Sequence, residues 1–198
     1  MKKSTILLLA LAMVICIGVG ATLAYLFVNT DPVVNTFTYG DVNIDLNESD
    51  ADNDSDSKKN DYQMIPGNEI KKNPVVTVKA DSVESYLFVE VVESANLDKY
   101  ISYAIASGWN LYPSGTIDTT ESGADTYVIY REVKNSDEGQ SFHILADDKV
   151  IVKTDVKKQD MEAIKTSDMP TLTFTAHAVQ KANLTLTEAY GIAFPTNP

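Results

Sequence analysis

The chain has 198 residues, 28 acidic and 16 basic, and its net charge of −12 makes nucleic acid an unsuitable partner, because phosphate binding needs the opposite sign. Its single cysteine, Cys16, lies in an apolar N-terminal run, so the remainder has no disulfide, Cys nucleophile or Cys-ligated zinc. Stability there has to come from a packed core.

Met1-Lys2-Lys3 precedes an uncharged run over residues 6–21, the charged and apolar parts of a secretory signal. That run falls short of the roughly 20 apolar residues of a membrane span. Small residues follow, and the expected signal peptide covers residues 1–24, cut after Ala24. An uncleaved anchor is the competing reading, since Leu23, Tyr25, Leu26 and Phe27 prolong the apolar character. Met13-Val14-Ile15, just before Cys16, lack the small residue that a lipoprotein signal places there, so lipid attachment is not expected. Without Lys2 and Lys3 the mature chain keeps 14 basic residues against 28 acidic ones, about −14 in net charge. Its length of roughly 174 residues suits one domain with a sizeable core. The last residues, Phe194-Pro195-Thr196-Asn197-Pro198, carry neither an apolar tail nor a wall-sorting motif, and the expected location is secreted, in an extracellular matrix or at the cell surface.

Residues 25–40 read as an extended segment in which Val33, Phe37 and Tyr39 share one side of a strand, with Asn35 between them. Such a peptide can add itself to a sheet edge of another subunit, and Pro32 is tolerable because one edge of a donated strand stays open. An ordinary first strand or a loose terminus is the alternative.

From residue 41 to residue 198 the pattern is that of one β-domain. Val42, Ile44 and Leu46 alternate with polar residues as in a half-buried strand. The stretch 47–61 holds no apolar side chain larger than Ala51 and reads as an acidic loop. No cofactor is expected; within the loop Asp50, Asp52, Asp54 and Asp56 alternate as hard oxygen ligands do, so calcium is the one ion for which it offers a site. The loop departs from an EF-hand, with Ser55 and Asp61 where Gly and Glu belong, and a solvating spacer is the other reading.

After a turn at Pro66-Gly67, residues 75–80, 85–92, 126–133, 149–154 and 171–180 are rich in β-branched and aromatic residues and read as strands. In the last, Leu172, Phe174, Ala176 and Ala178 face a core, while Thr171, Thr173, Thr175 and His177 face water. Leu97, Tyr100, Ile101, Ala104 and Ile105 predict a helix between Ser94 and Gly108, and a shorter one is expected after Asn183, with Thr187 capping Glu188-Ala189-Tyr190. Together these predict an all-β fold, a two-sheet antiparallel sandwich of jelly-roll type with one or two short helices.

The catalytic inventory is thin. His143 and His177 are the only histidines, no HExxH motif is present, and each reads as structural or solvent-facing. No residue is assigned a catalytic role, and the chain is not expected to be an enzyme.

Several of these segments resemble one family. Gly20-Ala21-Thr22-Leu23-Ala24 with Tyr25-Leu26-Phe27, then Asn35-Thr36-Phe37-Thr38-Tyr39-Gly40, Pro66-Gly67 before Asn73-Pro74-Val75-Val76, Tyr86-Leu87-Phe88-Val89, and Ala176-His177-Ala178-Val179-Gln180 with Glu188-Ala189-Tyr190 are similar to the TasA/camelysin family of secreted bacterial matrix proteins. The chain departs from that pattern at Leu26, around Asp31-Pro32 and in the insert 47–61. The resemblance implies a jelly-roll subunit of extracellular biofilm fibres, released by a SipW-type signal peptidase. Its partners would be further copies of itself or a related matrix subunit. An accessory or adhesive secreted module is the alternative. A camelysin-like surface metalloprotease is a further one, against which the missing paired ligands count.

Overall fold

A computed structural model describes residues 41–49, 60–115 and 124–195, all within a unit that begins at Tyr39. Among these residues the chain is mostly β. Ten strands occur: β1 (Ile44–Asn47), β2 (Glu69–Lys71), β3 (Val75–Val78), β4 (Ser85–Glu93), β5 (Ile101–Ser102), β6 (Asn110–Tyr112), β7 (Asp125–Val133), β8 (Gln140–His143), β9 (Lys149–Val152) and β10 (Leu172–Gln180). The α-helices are short: α1 (Leu97–Tyr100), α2 (Lys158–Glu162) and α3 (Leu186–Ala193). The strands form three antiparallel sheets, ordered β1-β3-β8, β10-β4-β7-β6 and β2-β9-β5.

β4 explains why one sheet dominates. Its odd residues Leu87, Val89 and Val91 join Ile129 and Val133 of β7 and Val76 and Val78 of β3 in one core, which Trp109 and Ile144 complete. Its even residues Tyr86 and Phe88 pack on the other face with Val128, Val179 and Ala189 of α3. A strand covered on both faces reads as a continuous apolar run, as residues 85–92 do. A third cluster joins Leu97, Ile101, Tyr103, Leu145, Val150 and Val152, with Leu172 and Phe174 of β10 against it. Arg131, the only arginine of the chain, lies with its guanidinium carbon 3.9 Å from the centre of the Phe142 ring.

Two local expectations are corrected. The helix expected between Ser94 and Gly108 is one turn, Leu97–Tyr100, after which the chain enters β5 and bridges Ile105 to Leu145. Ile101 and Tyr103 are buried and Ile105 is half-buried, so the apolar positions serve a period of two as well as a helical one, and the neighbouring strand selects the former. Asn96 makes no capping hydrogen bond and donates its amide instead to the Asp168 carbonyl, at 2.7 Å. At α3 the cap is Thr185 rather than Thr187: Thr185 Oγ1 accepts from the Glu188 N–H at 3.3 Å, and the Glu188 carboxylate accepts from the Thr185 N–H at 2.8 Å. This is the reciprocal Thr-x-x-Glu box, and the bonds that the Glu188 carboxylate accepts from the Thr185 N–H and, at 2.7 Å, from the Thr185 hydroxyl hold that carboxyl below its usual range.

The turn before β2 follows from its sequence. Gly67 has φ +79 and the Asn68 N–H bonds back to the Ile65 carbonyl at 3.0 Å, a conformation that glycine after proline adopts without strain.

Candidate functional site

The residues singled out by sequence for processing and assembly, Ala24, Val33, Asn35, Phe37 and Tyr39, lie outside the described residues, as do Asp50, Asp52, Asp54 and Asp56. The two histidines are placed. His143 ends β8, exposed, with Nδ1 2.6 Å from the Asp148 carboxylate. His177 differs from expectation: it is half-buried, its ring 4.7 Å from that of Phe194, because the chain beyond α3 covers that end of β10. Among the described residues no three His, Asp or Glu side chains converge as metal ligands.

What stands out is the outer edge of the main sheet. β10 pairs with β4 over all nine of its residues and has no partner strand on its other side among the described residues. The Thr171 carbonyl accepts from Ser94 N–H, and Lys181 N–H donates to the Glu84 carbonyl. In an antiparallel ladder hydrogen-bonded pairs alternate, so odd residues of β10 turn their main chain to β4. The N–H and C=O groups of Leu172, Phe174, Ala176 and Ala178 therefore point to the open edge.

Beside that edge runs a groove of about 910 Å³. Leu172, Phe174 and Ala176 form one wall, and Leu46, Met64 and Ile70 belong to the other side. Its floor is the third apolar cluster, through Leu97, Ile101 and Val150. On the side formed by Leu172, Phe174 and Ala176 the groove is apolar and flanked by main chain with no partner strand among the described residues, a geometry to which an extended peptide can add as a further strand.

One ion pair lies in the opposite wall. Lys72 Nζ is 3.0 Å from Glu48, and both side chains are largely buried. The other Glu48 oxygen accepts from the Tyr62 hydroxyl at 2.8 Å and from the Asn73 N–H at 3.1 Å. Glu48 and Tyr62 stand on the two sides of the acidic stretch, and their bond ties its roots together at the groove.

Behind the floor is a second polar group. The Tyr103 hydroxyl donates to the buried Glu93 carboxyl and lies 2.6 Å from the Tyr127 hydroxyl. Burial pushes the Glu93 carboxyl above the usual range, which the bond from Tyr103 partly offsets and the charges of Asp125 and Asp98 reinforce. Burial likewise raises both tyrosines. Glu93 faces Leu172 in the β4–β10 register, so this cluster sits at the root of the open strand.

The alternation in residues 171–180 reveals a strand but not that its outer side lacks a partner strand among the described residues. Lys72, Glu48 and Glu93 carry no sequence signal, since their partners are set by the fold. Compared with protein-family models, curated proteins and solved structures, the chain matches none.

Proposed function

We propose that this protein is a structural subunit of extracellular fibres in a bacterial biofilm matrix, assembled by strand donation. Residues 25–40 of one copy, freed when a SipW-type peptidase cuts after Ala24, pair with the open edge of β10 on the next copy. Val33, Phe37 and Tyr39 then enter the groove. The observation that supports this reading is the edge itself: nine residues of β10, with the main chain of Leu172, Phe174, Ala176 and Ala178 turned outward and without a partner strand among the described residues, beside the groove. The TasA/camelysin resemblance supports it independently. The same reading takes the four-stranded sheet and the two smaller sheets as the layers of a jelly-roll-type sandwich. It makes the chain a non-enzyme and the acidic stretch a solvating spacer, in which Asp50, Asp52, Asp54 and Asp56 are the residues that would take calcium.

The test is electron microscopy of the secreted, processed protein beside a form lacking residues 25–36. The processed protein is expected to form fibres, and the shortened form to stay folded and soluble. Fibres from the shortened form would defeat strand donation.

A further inference from the structure

One nearly buried cation in the groove has donors to spare. The Lys72 and Glu48 side chains are each 12% exposed. Glu48 is engaged at both oxygens, by Lys72, Tyr62 and Asn73. An ammonium carries three N–H donors. One N–H of Lys72 goes to Glu48, and the rings of Tyr62 and Phe174, with centres 5.3 and 5.7 Å away, hold the charge without accepting those bonds. A cation so desolvated, with unfilled donors turned into a groove, suits a ligand that brings an oxygen.

Resting on the strand-donation reading, we propose that Lys72 sets the register of the incoming strand by donating to the side-chain amide oxygen of Asn35 from the neighbouring copy. The inward face of the donated segment is Val33, Asn35, Phe37 and Tyr39, apolar except for one amide. A slip of two residues, about 7 Å, keeps the same face inward, so apolar matching alone does not choose between registers. Lys72 does choose. In the slipped registers Val33 or Phe37 lies against the ammonium, and the Asn35 amide is buried without a partner, which is costly. One buried polar contact thus selects one alignment, as a single buried Asn does in a coiled coil.

The chain has one cysteine, Cys16, within the expected signal, so cysteines placed later report without interference. Thr36 and Thr38 alternate with the inward residues and share the outward face with Thr171, Thr173 and Thr175 of the acceptor. Thr38→Cys is combined in turn with Thr171→Cys, Thr173→Cys and Thr175→Cys in the processed protein, and disulfide-linked copies are quantified after assembly. Facing residues on paired strands meet the geometry of a disulfide. One of the three positions is expected to dominate about tenfold in the parent and in Asn35→Asp, which keeps the oxygen. Asn35→Leu is expected to spread the cross-links over neighbouring positions, and Lys72→Met to do the same. A single unchanged dominant cross-link in Asn35→Leu overturns the register role while leaving strand donation standing. Fibres with no cross-link at any of the three positions overturn both.

Discussion

The main sheet has two edges, and they are built differently. β6 is three residues long, Asn110–Tyr112, and its last ring stacks 4.4 Å from Tyr190 of α3 and 6.2 Å from Tyr130. Pro113 follows it at once. Shortness, proline and covering rings are ordinary ways to blunt a strand edge against pairing with another chain. β10 differs: it is long, and a covering ring, Phe194 on His177, meets it at one end. It runs nine residues, Leu172–Gln180, without a charged side chain, and its core-facing Leu172, Phe174 and Ala176 line a groove. One edge of the same sheet is short and covered, and the other is long and has no partner strand among the described residues.

The largest effect expected from breaking this contrast comes from proline on β10. Thr175 turns its N–H to β4, opposite Glu90, so Thr175→Pro removes a ladder bond, leaves a Glu90 main-chain acceptor without its partner and costs about 1–3 kcal/mol of folding stability, measured by chemical denaturation. Ala176 turns its N–H outward. Ala176→Pro is expected to lower stability only slightly, as edge strands accept proline, yet to abolish fibre formation. Loss of stability in both variants alike would mean that the parity of the open edge is misread.

A smaller effect probes the closed edge. α3 touches both ends of the sheet, through Tyr190 on Tyr112 and through the following Phe194 on His177. Thr185→Ala removes its capping box and should cost about 1 kcal/mol in thermal or denaturant unfolding. Fibres are expected to persist, because the groove lies on the side of the sheet away from α3. Fibres lost in step with helix stability would place the acceptor site at α3 instead.

The smallest effect is a slope. Burial raises the folded-state pKa of Glu93, so the folded chain holds that proton more tightly than the unfolded chain does. Its contribution favours folding below the unfolded carboxyl pKa and is lost as pH rises through the raised folded value. Glu93→Gln keeps an acceptor for the Tyr103 hydroxyl and removes the titration. It should stabilise the chain at neutral pH and flatten the decline of the denaturation midpoint as pH rises above the ordinary carboxyl range. A variant with the parent's slope would assign that dependence to other groups.

The contrast between the edges also marks what could be read in advance. The patterns at 75–80, 85–92, 126–133, 149–154 and 171–180 correspond to β3, β4, β7, β9 and β10. β2, β5 and β6 were not legible, because two or three residues hold too little alternation to separate from a loop, and β8, Gln140-Ser141-Phe142-His143, has one apolar side chain in four. The stretch 94–108 misleads for a related reason: its apolar residues fit both periods, and pairing with β9 at Ile101 decides between them.

Residue order by itself determined the charge, the absence of thiol chemistry after Cys16 and which long segments are strands, since side-chain alternation is a local property. It also placed one amide, Asn35, within an apolar face. Only the tertiary structure decided that β10 is an edge and β4 is not, and that Glu48 meets Lys72 across 24 positions of chain. Strand order depends on which distant segments close on one another, and burial of a charge depends on what then surrounds it. Neither quantity exists until the sheets have packed.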